Sequence, residues 1–101
     1  MASGKTTLSA DEVTALASEL PDWTLEDGKL IRTWTFKDFA EAMAFVNHIA
    51  GLAEQANHHP DIDIRYNRVR LALVSHDAGG VTARDARMAR SISLQFPRIS
   101  P

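Results

Sequence analysis

Cysteine is absent from the 101 residues, which removes disulfides, thiolate nucleophiles and cysteine-ligated zinc. There is no basic excess either. Eleven Lys and Arg stand against 13 Asp and Glu, for a formal net charge of −2, so the electrostatic footprint of a nucleic-acid surface is missing and no nucleic-acid partner is expected. No apolar run approaches the roughly 18 residues that a membrane span needs. The opening residues, MASGKTTL, lack the apolar stretch of a secretory signal. The default expectation is a cytoplasmic chain with no membrane partner. Gly4-Lys5-Thr6 looks like the end of a phosphate-binding loop, but the upstream glycine and strand that such a loop requires do not exist. Repeats, linkers and low-complexity segments are also missing. What is present is ordinary globular composition, 45% hydrophobic and 24% charged. The length suits one domain over residues 1–101, with residues 1–8 expected to be disordered.

Local signals divide the chain. Ser9 and Glu12 form a capping-box pattern, and Val13, Leu16 and Leu20 recur at helical spacing until Pro21 stops the helix. Asp27-Gly28 between WTLE and KLIRTWTF predicts a hairpin, with Leu30, Arg32, Trp34 and Phe36 on one face of its second strand. Asp38 can cap a long helix ending near Asn57, whose stripe runs through Phe39, Met43 or Ala42, Val46, Ile49 and Ala53, widened by Phe45 and Leu52. Thr82 and Asp85 repeat the capping-box pattern with Asp in place of Glu. A last helix follows, over roughly Thr82 to Gln95, burying Ala86, Ala89 or Met88, Ile92 and Phe96. The order α-ββ-α-ββ-α predicts an α+β fold, a four-stranded antiparallel sheet with helices packed on one face.

The second hairpin, NHHPDIDIRYNRVRLALVSH, carries three of the chain's four histidines. With Asn67-Arg68 as its two-residue loop, Ile62 faces Leu73, Ile64 faces Leu71 and Tyr66 faces Val69, all on one apolar side. The same register places His59 opposite His76 and brings His58 to their rim. Exposed loop histidines of no consequence would fit this pattern. So would a metal site completed by Asp61, Asp77 or Glu54, although neighbouring histidines in an extended segment point to opposite sides and match no common ligand spacing. Acid–base catalysis also fits, because histidine ordinarily titrates near pH 6.5 and a pair can divide donor and acceptor roles. No serine or cysteine nucleophile stands out, which favours proton transfer over covalent catalysis. His58 and His76 are expected beside the hairpin ends, where truncating either ring costs little stability. His48, inside the long helix, reads as a packed or surface residue.

Glu54-x3-His58-His59-Pro60, followed at fixed spacings by Tyr66, His76 and Asp85, resembles the signature of the pterin-4a-carbinolamine dehydratases. LIRTWTFKDFAEAMAFV resembles the strand that leads into that family's long helix, and the resemblance runs from about Leu8 to Phe96. Ile62 stands near a position where some relatives carry tryptophan. The resemblance implies dehydration of 4a-hydroxytetrahydropterin to quinonoid dihydropterin and water, a step in tetrahydropterin recycling. It implies His58, His59 and His76 as catalytic residues, with His58 and His76 assisting departure of the hydroxyl and His59 holding the pterin. It further implies Glu54, Pro60, Asp61, Ser75 and Asp85 as substrate-binding residues, with Glu54 and Asp85 supporting the ring orientations. No metal or organic cofactor is implied. The expected partners are the pterin and further copies of the chain, as a homodimer or homotetramer. Some relatives have lost the dehydratase role, so the alternative is a non-catalytic binding or assembly partner on the same scaffold.

Overall fold

The computed structural model describes residues 6–96. Helix α1 (Ala10–Glu19) begins at Ser9, whose hydroxyl accepts from the Glu12 amide while the Glu12 carboxylate accepts from the Ser9 amide. Asp27 and Gly28 both take positive φ, 51° and 74°. This is the backbone that a tight two-residue turn requires, and it joins β1 (Thr24–Glu26) to β2 (Lys29–Thr35). The Asp38 carboxylate caps α2 (Phe39–Ala56) by accepting from the Glu41 amide. Then come β3 (Asp61–Arg65), β4 (Arg68–Leu73) and α3 (Ala83–Gln95). The strands form one antiparallel sheet in the order β1-β2-β4-β3, so the α+β architecture expected from the element order is the one observed. Of the leading segment expected to be disordered, Thr7 instead bridges Thr82, and the Leu8 amide donates to Val81 at 2.9 Å; residues 1–5 lie outside the described residues.

One face of the sheet carries the core. Leu30, Arg32 and Trp34 of β2 pair with Leu73, Leu71 and Val69 of β4. This layer meets Leu16 of α1, Ala42, Phe45 and Ile49 of α2, and Ala86, Met88, Ala89 and Ile92 of α3 in one cluster. Phe45 is its aromatic hub, with ring centroids 4.8 Å from Trp34, 5.0 Å from Phe36 and 4.8 Å from Phe96. The helix stripe is therefore turned relative to expectation. Phe45 lies in its centre and not at its margin, whereas Phe39 is 50% exposed. The buried set Ala42, Phe45, Ile49 and Ala53 follows the i, i+3, i+7 spacing of one helical face. Arg32, itself part of this layer, is buried, 4.4 Å over the Trp34 ring and within 3.7 Å of Asp22. Burial pulls its pKa down, against the opposing pull of Asp22.

The β3–β4 register corrects the one predicted. The pairs are Ile62–Leu71 and Ile64–Val69, two positions from the expected pairing, and the loop residues are Tyr66 and Asn67. A shift of two preserves the faces, so the isoleucines still share the core side with Val69 and Leu71. Tyr66 leaves the strand altogether. It sits in the turn at φ 53° and 65% exposed. The reason is a contact outside the hairpin. The Asn67 side-chain amide donates to the Phe36 carbonyl, and the Phe36 amide donates to the Asn67 carbonyl, each at 2.8 Å. These two bonds tie the loop to the end of β2.

Candidate active site

The site forms where the C-terminus of α2, the end of β4 and the N-terminus of α3 meet. Asn57 ends α2 in the left-handed conformation, φ 49° and ψ 42°, a geometry asparagine adopts readily. The chain then turns back, so that the His58 amide donates to the Ala53 carbonyl at 3.1 Å. His58 is fixed at its backbone by one helix and at its ring by another, because its Nε2 lies 2.5 Å from Asp85 Oδ1. A carboxylate oxygen only accepts, so Nε2 carries the hydrogen and Nδ1 is left for another partner.

Asp85 is fully buried. Its second oxygen, Oδ2, accepts from the Thr82 amide and from the Ser75 hydroxyl, both at 2.9 Å, and the Ser75 and Thr82 hydroxyls are 2.8 Å apart. A buried carboxylate is tolerable only when donors replace its water. Here they are a helix-cap amide, a serine and an imidazole. The capping-box residue at the start of α3 is thus also the residue that orients His58, and the shorter Asp in place of Glu serves both positions.

His59 diverges from its neighbour. Its Nε2 lies 2.5 Å from Glu54 Oε2, and both side chains are exposed. Each of the two adjacent rings therefore has its own acid, one buried and one at the surface. His76 is exposed, on a tight turn closed by a bridge between Ser75 and Gly80. Its direct opposition to His59 is overturned by the register, whose continuation puts Val74 across from His59; the ladder itself stops at Asp61–Ala72. His76 is linked to His58 by a different route, as the chain neighbour of Ser75, whose buried hydroxyl reaches Asp85. Pro60 is half-buried, and Asp61 is exposed at the start of β3, 3.8 Å from Lys29. His58, expected at a hairpin end where truncating the ring costs little stability, instead has a side chain only 10% exposed. His48 is exposed, with Nε2 2.6 Å from Gln95 Oε1 and its ring against Phe96. Among the described residues no three His, Asp or Glu side chains converge as a metal site.

A cleft of about 330 Å³ opens beside His58, lined by Leu52, Gln55 and Ala56 of α2 and by Arg84, Arg87, Met88 and Ser91 of α3. Its size is that of small-molecule sites. Apart from His58, these residues were absent from the expected site. A signal for them existed in the spacings 84, 87, 88, 91 and 52, 55, 56, each one side of a helix that flanks His58. Arg84 donates to Asp77 Oδ1 at 2.7 Å, holding the His76 turn against α3.

The family model described as Pterin 4 alpha carbinolamine dehydratase matches residues 6–94. A Chloroflexus aurantiacus protein named "Putative pterin-4-alpha-carbinolamine dehydratase" is 54% identical over 85 residues, covering 84% of this chain and 91% of the relative. An Acidobacterium capsulatum protein of the same name is 63% identical over 75 residues, covering 74% and 82%. Among solved structures, a transcriptional coactivator/pterin dehydratase from Brucella melitensis superposes with a TM-score of 0.82 at 35% identity, covering 88% of this chain and 97% of that one. A pterin dehydratase-like RuBisCO assembly factor of the alpha-carboxysome shares the fold alone, at 19% identity and a TM-score of 0.60. With its family model matched over nearly the whole length, the chain belongs to the pterin-4a-carbinolamine dehydratase family.

Proposed function

We propose that the protein dehydrates 4a-hydroxytetrahydropterin to quinonoid dihydropterin and water by histidine acid–base catalysis, as a step in tetrahydropterin recycling. The observation that carries this reading is the His58–Asp85 pair, in which a buried, triply bonded carboxylate fixes one imidazole beside a cleft of ligand size. The reaction breaks the C4a–O bond, and the hydroxyl departs with the electron pair. A proton delivered to that oxygen lets it leave as water and not as hydroxide. Loss of the N5 proton to a base then allows the C4a=N5 double bond to form. One proton enters and one leaves, so a pair of imidazoles in opposite protonation states balances the step. In this assignment His58 and His76 serve the departing hydroxyl. His59, held by Glu54, steadies the pterin, and Pro60 and Asp61 complete its surroundings, while Ser75, buried and bonded to Asp85, acts through that carboxylate and not on the ligand.

General acid–base help of this kind contributes roughly 10²–10⁴-fold, which suffices for a carbinolamine that already dehydrates on its own. The reading calls on no metal or organic cofactor. The alternative of a non-catalytic assembly partner has a fold-level counterpart in the RuBisCO assembly factor. The full set of His58, His59, His76, Glu54 and Asp85 favours the enzyme. Stopped-flow measurement of synthetic carbinolamine decay, with and without the protein, tests the proposal. Acceleration over the spontaneous rate is expected, and equal rates would overturn it.

A further inference from the structure

The cleft beside His58 extends well past the reacting end. From Arg84 to Ser91, α3 advances about 10 Å at the helical rise per residue, and all four α3 residues of the lining lie on that one side. The chemistry changes along its length. The wall formed by Leu52, Ala56 and Met88 is apolar and suits the face of a ring. Arg84 is committed to Asp77. Arg87, one turn further, is exposed, and among the described residues no carboxylate lies within ion-pair distance of it. The acids nearest in the chain are engaged elsewhere, Asp85 with His58 and Asp77 with Arg84. Apart from His58 and Arg84, the other polar side chains of the lining are the neutral Gln55 and Ser91. A guanidinium presents a rigid fork of donors that matches planar or tetrahedral oxyanions. A site so built leaves that fork unanswered when the ligand is neutral.

We propose that Arg87, with Gln55 and Ser91, forms a subsite for an anionic group, carboxylate or phosphate, on the side chain of the substrate, so that the preferred pterin carries an acidic tail. This inference rests on the dehydratase reading, because it places the ring at His58 and sends the tail along α3. Arg87 touches no reacting atom in this arrangement. It should act on substrate affinity and leave the chemical step alone.

The test uses three synthetic carbinolamines, with a neutral hydroxylated tail, the phosphate ester of that tail, and a carboxylate tail of similar length. The same three tails on fully oxidised, unreactive pterins serve for calorimetric binding. The expected result is a KM about ten-fold or more lower for one of the charged tails than for the neutral one, the scale of a hydrogen bond to a charged group, with similar kcat. Whether phosphate or carboxylate gains more identifies the source of the charge. The preference should vanish in Arg87→Met and invert in Arg87→Glu, with circular dichroism showing both folded. Equal KM for all tails in the parent protein, or a preference that survives both variants, would overturn the subsite. If no carbinolamine is turned over, the dehydratase reading fails by itself. The oxidised pterins then decide the subsite: tighter binding of an anionic tail that is lost in Arg87→Met upholds it, and equal or absent binding overturns it.

Discussion

Asp85 joins two structural demands in one side chain. It closes the capping box of α3 through the Thr82 amide and holds the His58 ring through its other oxygen. Asp85→Asn keeps an acceptor for the cap but turns an amide NH2 toward Nε2, which reverses the ring nitrogen that carries the hydrogen. The variant is expected to fold, by circular dichroism, while kcat in the carbinolamine assay falls about a hundred-fold; activity within two-fold of the parent would argue against an orienting role. The histidines should separate in stability. His58→Ala removes a donor from a buried carboxylate and should cost about 1–3 kcal/mol, whereas His76→Ala, at an exposed turn, should stay within about 0.5 kcal/mol. Urea unfolding of the two variants measures the difference, and equal costs would contradict the burial that sets them apart.

The caps and turns of the elements are chemically local. For that reason Ser9, Asp38, Thr82 and the Asp27-Gly28 turn were legible in the sequence, and with them the order of helices and strands. What escaped was decided at a distance. The β3–β4 loop is set by the Asn67 contacts with Phe36, 31 residues away in the chain, which no pattern within the hairpin reveals. The site was half legible. The motif marked the histidines and their acids, but the cleft wall depends on how α2 and α3 face each other. Tyr66 holds a backbone region that aromatic residues adopt at a cost, so Tyr66→Gly should raise stability by about 1 kcal/mol in urea unfolding, and a loss would show that its exposed ring has a contact of its own. Arg90 donates to both Glu19 oxygens, at 2.6 and 2.9 Å, tying α3 to α1. The bond from Arg90 is the main cause that lowers the Glu19 pKa below its ordinary 4.5. A lowered carboxylate pKa stabilises the fold above the ordinary value, and this contribution fades as the pH falls below it. Arg90→Met should therefore be less stable than the parent at pH 7, with the gap narrowing at pH 3; an unchanged gap would contradict the assignment.

The molecule as a whole leaves β1 and β3 as sheet edges. Unprotected edges invite pairing with another chain, and β3 adds Ile62, which is 36% exposed on the core side, with Tyr66 at its end. A homodimer or homotetramer is expected by light scattering at micromolar concentration, and a monomeric mass would contradict it. Among the described residues no helix is long and apolar enough to cross a membrane. The central claim is that this fold brings His58 and His76 to one substrate. Its most direct test is the stopped-flow decay of a synthetic 4a-hydroxytetrahydropterin with the parent protein, His58→Ala, His76→Ala and the double variant. The parent should accelerate decay and each single variant should lose roughly ten-fold or more. The double variant should lose less than the product of the two, because both rings act on one reaction coordinate. A folded double variant that still dehydrates the carbinolamine at the parent rate would contradict the account.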